Sequence, residues 1–201
     1  MSDAQSQPVR VKVGDRVLHR LDERLFGQFM ERATFGEPGP ESAVQPGTHQ
    51  LQPKALEALK EFRPPIIRFP GGTDADYIDW TDMVSNVPGR GAERPVTVGH
   101  KGGKLTNRLG LDEYFALRDE LGCQTILVVT FLDALRKRKP LAEAARHAAG
   151  LVAYCNAPLG ASLPQGMPDW PAVRAANGHP EPFGAEILQI GNEAWVYRPK
   201  V

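Results

Sequence analysis

The sequence, 201 residues long, predicts an α/β fold in which parallel β-strands are joined by crossover helices, as an open sheet or as part of a barrel. Three observations predict it. Short apolar runs alternate with segments of helical spacing in the order strand, helix, strand, helix, strand, helix, strand. No repeat, low-complexity tract or linker divides the chain. The length suffices for a sizeable core, either as one domain or as part of a larger one.

The elements follow in chain order. After a polar start, VRVKV (9–13) alternates strictly and predicts a half-buried strand. LFGQFME (25–31) is a second strand candidate, and the Gly/Pro-rich loop FGEPGPESAVQPG follows it. In QPKALEALKEF, Pro53 occupies a first helical position, Leu56 and Leu59 share a face, and the Pro64-Pro65 pair stops the helix. IIRFPGG then reads as a short apolar strand. The stretch from Thr73 to Arg108 has no periodic element, is rich in Gly, Pro, Asp and Asn, and is too long for an idle connector, so it is expected to carry function. Helical spacing returns in LDEYFALRDELG, with Gly122 as its stop, and TILVVTF follows as a buried strand. PLAEAARHAAGLVAYCN repeats the helical pattern from Pro140, and AEILQIGNE is the last strand.

Composition excludes several classes of partner. The 24 basic residues balance the 24 acidic ones, leaving no global field to gather nucleic acid or an anionic membrane surface. The N-terminus has no signal-peptide pattern, and no window approaches the roughly 18 apolar residues of a membrane span, so the expected location is the cytoplasm. Cys123 and Cys155 read as reduced thiols. His19, His49, His100, His147 and His179 show no metal-ligand spacing. KGGK (101–104) lacks the phosphate-loop pattern, and RKRK (136–139) reads as a solvated helix start. No cofactor is expected.

In either α/β architecture the chemistry collects at the carboxyl ends of the strands. Those ends are GQFME with Glu31, RFPGGTDADYIDW, TFLDAL and QIGNEAW. Three of the four carry carboxylates, amides or Gly-rich turns, which suit a neutral polyol such as a sugar: donors and acceptors for hydroxyls, an aromatic platform, and a carboxyl group for proton transfer. Asp74 and Asp76 read as loop-stabilising rather than catalytic.

The segments GQFME, RFPGGTDADYIDW, LGLDEYFALRDELG, LVAYCN and NGHPEPFGAEILQIGNEAW, in this order over roughly residues 20 to 197, resemble the first half of the catalytic domain of glycoside hydrolase family 51, the α-L-arabinofuranosidases. The resemblance implies a retaining glycosidase on a (β/α)8 TIM barrel with an accessory β-sandwich. Residues 1–19 would contain a strand of that sandwich, and residues 20–201 the first four βα units of the barrel, truncated after the fourth strand. It further implies Glu193 as general acid/base with a raised pKa, Asn192 as partner of the sugar 2-hydroxyl, Glu31 as a sugar-binding carboxylate, and Trp80 and Trp195 as walls of the cleft. Thr73 is a further substrate-binding candidate, although at Thr73 and Asp74 the chain departs from the family pattern, where Asn or Cys and then an apolar residue are usual, so the furanose contacts are expected to differ.

A full barrel takes about 250 residues, and a retaining enzyme needs a second carboxylate roughly 5 to 5.5 Å from the first. Nothing in the sequence matches the family's nucleophile. Two function classes therefore stand: hydrolysis of terminal arabinofuranosyl residues from oligo- or polysaccharides, and a non-catalytic fragment with a residual carbohydrate cleft. A related barrel glycosidase acting on another sugar is the third reading. The partners implied are an arabinofuranosyl-containing oligosaccharide and either further copies of the chain or a complementing C-terminal half.

Overall fold

The computed structural model describes residues 9–31, 40–193 and 195. Four strands, β1 (Gln28–Phe29), β2 (Ile66–Phe69), β5 (Gln124–Val129) and β6 (Ile187–Ile190), form one sheet in the order β1-β2-β5-β6. Between β2 and β5 the chain also forms a two-stranded antiparallel ribbon, β3 (Thr97–Val98) with β4 (Lys104–Leu105). Every pairing in the main sheet is parallel, with Gln28 opposite Ile67, Ile66 opposite Gln124 and Ile126 opposite Ile187. Parallel pairing requires crossovers. They are supplied by α1 (Pro53–Phe62), then α2 (Leu111–Leu121), then α3 (Leu132–Leu135), α4 (Leu141–Asn156) and α5 (Trp170–Ala176). The strands lie side by side in chain order, without the reversal that defines a doubly wound sheet, so the topology favours the barrel over the open sheet.

Strand alternation divides the sheet into two faces. Ile67, Phe69, Leu127 and Val129 point to the helices and join Tyr114, Phe115, Leu151 and Tyr154 in the core. Phe69 stacks on Tyr114 with ring centroids 4.2 Å apart, and the Tyr114 hydroxyl donates to the Ile67 carbonyl at 3.0 Å. That one side chain therefore fixes α2 on β2 by area and by a directed bond; a fully buried aromatic of this size contributes about 2–3 kcal/mol. Ile66 and Val128 lie on the opposite face and are buried outside this cluster.

The segment from Thr73 to Arg108 lacks periodicity because its anchors are irregularly spaced. Two 3-10 turns, Thr73–Asp76 and Trp80–Met83, drive Ile78, Trp80, Met83 and Val84 into the core. Farther on, Arg94 pairs with Glu113 at 2.6 and 2.9 Å, and the Asn107 amide donates to the Pro95 carbonyl and the Thr97 hydroxyl, both at 2.7 Å.

Several expectations are corrected. Val9, Val11 and Val13 are 80–90% exposed and form no strand, because no sheet among the described residues pairs with them and alternation alone supplies no hydrogen-bond partners. The expected strand over 25–31 shrinks to Gln28–Phe29, since Asp22 caps a 3-10 turn over Glu23–Phe26 by accepting the Arg24 N–H at 2.9 Å. Helices α3 and α5 were not foreseen. For α5 a start signal is present in Asp169, whose carboxylate accepts the Ala172 N–H at 3.1 Å, and in Pro171 in the first turn. Residues 1–8, part of the expected sandwich segment, and residues 35–39 of the Gly/Pro-rich loop lie outside the described residues.

Candidate active site

The carboxyl end of β2 lies beside that of β1. A cis Phe69–Pro70 bond leads into Gly71, at φ +110°, and Gly72. A Cβ on Gly71 would overlap the Met30 carbonyl and the Glu31 backbone, and one on Gly72 would overlap the Glu31 carboxylate. The two glycines thus permit an approach that no side chain would allow. In return, the Thr73 and Gly72 N–H groups donate to the Glu31 carboxylate. Burial raises the Glu31 pKa and the Asp74 charge raises it further, against the opposing effects of Arg68 and the two backbone bonds.

Asp74 and Asp76 follow on the same 3-10 turn, and both are buried. Asp74 accepts the His100 backbone N–H at 2.8 Å and lies 3.1 Å from His100 Nδ1, which draws the tip of the β3–β4 ribbon to the rim. Asp76 reaches the other way: Oδ1 accepts the Phe131 N–H at 3.1 Å and Oδ2 the Asn192 N–H at 3.0 Å. Burial raises its pKa and the two N–H bonds oppose the rise. Both residues are loop-stabilising, as their residue type suggested.

At the end of β6 the Gly191 N–H extends the ladder to the Val129 carbonyl at 2.8 Å. Gly191 sits at φ +65°, where a Cβ would come within 2.9 Å of the Phe131 Cβ. Asn192 is buried, and its amide donates to the Thr73 hydroxyl at 3.3 Å. Glu193 is exposed and takes φ +46°, a left-handed conformation that costs a residue other than glycine about 1–2 kcal/mol.

The structure therefore brings Glu31, Thr73 and Asn192 into one hydrogen-bonded cluster, with Glu193 in the open beside it. Trp195 is 66% exposed. Trp80 departs from its expected place on the cleft wall: at 3% exposure it lies in the core, donating its indole N–H to the His147 carbonyl at 2.9 Å and packing edge-on to Trp170 at 4.6 Å. Its burial follows from the turn that carries it, which aims it at α4 and α5 rather than at the strand ends. Asp133, another acidic residue of this rim, pairs with Lys139 at 3.1 Å. Among the described residues, sequence reasoning missed the contacts of Asp76 to Phe131 and Asn192, for which the linear sequence holds no signal.

A chain-ordered parallel sheet, with carboxylates, an amide and a hydroxyl gathered at its strand ends, defines an α/β chain of barrel type with a polar rim. Comparison with known proteins makes the class specific. Residues 58–200 match the family profile described as the alpha-L-arabinofuranosidase 1 domain. The chain is 28% identical over 183 residues to an intracellular exo-α-(1→5)-L-arabinofuranosidase of Bacillus subtilis, covering 86% of this chain and 31% of that protein. It is 31% identical over 179 residues to the corresponding enzyme of Streptomyces lividans, covering 86% of this chain and 24% of that protein.

Among solved structures, the family 51 arabinofuranosidase of Xanthomonas axonopodis superposes with a TM-score of 0.62 at 29% identity, over 87% of this chain and 33% of that one. A family 51 enzyme of Bifidobacterium longum, at 24% identity, shares the fold with a TM-score of 0.64 over 85% of this chain and 31% of that one. The chain belongs to the α-L-arabinofuranosidase family, glycoside hydrolase family 51. The expected partial (β/α)8 architecture is borne out by these neighbours. The chain spans about a third or less of the length of the curated relatives it matches.

Proposed function

We propose that this chain contributes the acid/base side of a retaining α-L-arabinofuranosidase site, releasing non-reducing terminal arabinofuranosyl residues from arabinose-containing oligo- and polysaccharides. The observation that carries the reading is the joining of Glu31, Thr73 and Asn192 at the strand ends, with Glu193 adjacent and accessible. In this reading Glu193 protonates the leaving-group oxygen and then activates water, Asn192 binds the 2-hydroxyl, and Glu31 anchors the furanose ring. Trp195 lines the open side.

Asp74 and Asp76 are engaged by backbone N–H groups and Asp133 by a lysine, so the nucleophile is assigned to barrel strands other than these four. The enzyme is assigned to the cytoplasm. Two curated relatives bear intracellular in their names, and no helix among the described residues is long and apolar enough to cross a membrane. The Thr73 contact to Asn192 places a hydroxyl where the family pattern has another residue, which favours testing a second sugar.

The test is the Glu193→Gln variant of the complete gene product. Hydrolysis of arabino-oligosaccharides should fall about 100-fold or more, and hydrolysis of 4-nitrophenyl α-L-arabinofuranoside far less, because an activated phenol leaves without a proton. Equal loss on both removes the acid/base role. A wild-type protein that binds arabino-oligosaccharide without turnover would establish the non-catalytic reading, and preferential cleavage of xylosides or glucosides would reassign the sugar.

A further inference from the structure

We propose that Asp76 is a positioning residue for the acid/base end of the site, its carboxylate holding the turn after β6 in the form that presents Asn192 and Glu193. The inference rests on the reading of Glu193 given above. Asp76 is 2% exposed and lies on the loop after β2, yet it binds the ends of two other strands: Oδ1 takes the Phe131 N–H beyond β5 at 3.1 Å and Oδ2 the Asn192 N–H beyond β6 at 3.0 Å. A third contact comes from the Thr130 hydroxyl, which donates to the Asp76 backbone carbonyl at 3.1 Å. One residue therefore ties three strand ends together.

The tie falls where the backbone needs it. The β5–β6 ladder ends with Gly191 N–H to the Val129 carbonyl, and the next N–H in the chain, that of Asn192, passes to Asp76. On either side of Asn192 the chain takes a positive φ, +65° at Gly191 and +46° at Glu193. A left-handed glutamate persists only where its surroundings over-determine it. Here the fixed point is Asn192, held through its backbone by Asp76 and through its side chain by Thr73, both from the 3-10 turn after β2.

The geometry also demands a carboxylate. Two N–H donors converge on two oxygens of one side chain. An asparagine at 76 would oppose one of those donors with its own NH2 group, and a serine would reach neither oxygen position. The sugar itself is not required to touch Asp76, which acts through Asn192 and Glu193.

The experiment compares the wild-type complete gene product with its Asp76→Asn variant on an arabino-oligosaccharide and on 4-nitrophenyl α-L-arabinofuranoside. Loosening Asn192 should lower kcat/KM on both substrates through the shared 2-hydroxyl contact, and misplacing the acid should lower it about 10-fold further on the oligosaccharide, since only that substrate needs the proton. Equal loss on both substrates overturns the proposal, as a merely structural residue would produce it. A second readout uses the wild-type protein alone, and so survives a variant that fails to fold: hydrogen exchange of the Phe131 and Asn192 amides. Both should be protected, and exchange at the rate of an exposed loop overturns the proposal. A wild-type protein that cleaves neither substrate overturns the functional reading instead, and the exchange result separates that outcome from failure of the Asp76 contacts.

Discussion

At the scale of single residues, glycines and tryptophans carry the information that side-chain chemistry alone does not. Gly72 is placed so that its missing Cβ is the space occupied by the Glu31 carboxylate. Gly72→Ala should displace Glu31 and lower kcat/KM of the complete enzyme by about 10- to 100-fold, as expected for misplacing a binding group by about 1 Å. Steady-state kinetics with a parallel thermal melt checks that the loss is local. Trp80 gives the opposite lesson. Its motif position suggested a sugar platform, but its neighbours are His147, Tyr154 and Trp170, and Gly150 is the small residue that lets both indoles approach α4. Trp80→Ala should cost about 3–5 kcal/mol in denaturant unfolding, and a milder Trp80→Phe should leave KM for the sugar unchanged. A rise in KM with intact stability would return Trp80 to the cleft.

At the scale of elements, the sequence motif most specific to the family turns out to have a packing role. In NGHPEPF, the carbonyls of His179 and Pro180 accept from Arg174 at 3.0 and 3.1 Å, and Phe183 stacks on Phe115 at 4.4 Å. Arg174 also donates to the Tyr154 carbonyl at 2.6 Å, so a buried guanidinium on α5 fixes both the end of α4 and the approach to β6. The motif thus sets where β6 begins, and through it where Glu193 emerges. A second link joins the turn that starts at Trp80 to α4. Burial alone would raise the Asp79 carboxyl, but His147, whose Nε2 lies 3.0 Å from Asp79 Oδ1, and the bonds from Thr81 hold it well below its ordinary 3.8.

A depressed carboxyl contributes stability above its unfolded pKa and loses that contribution as pH falls through the folded value. Asp79→Asn should therefore be less stable than wild type at pH 6, by about 1 kcal/mol because the pair is partly exposed and screened. The gap should close as pH drops below about 4. Urea titrations across that range measure it, and a gap independent of pH would dismiss the ion pair as its cause.

At the scale of the whole molecule, the sheet formed by the described residues has two edges, β1 and β6, and no described residue covers the helix-facing side of β6, where Ile190 is 70% exposed. Open parallel edges with apolar faces invite pairing. The 201-residue chain alone should self-associate in light scattering, with Ile190→Lys lowering the apparent mass; a concentration-independent monomer would contradict this. The sequence by itself determined the order of the four sheet strands and of α1, α2 and α4 between them, the stops at Pro64 and Gly122, and the family, because periodicity, caps and motifs are local and survive in one dimension. Only the tertiary structure decided the rest. It left Val9 to Val13 without a sheet partner among the described residues, drew Trp80 into the core, and made Asp76 the common anchor of strand ends 55 and 116 positions away in the chain. Such contacts depend on which distant backbone groups the fold brings within hydrogen-bond reach, and no spacing along the chain records that.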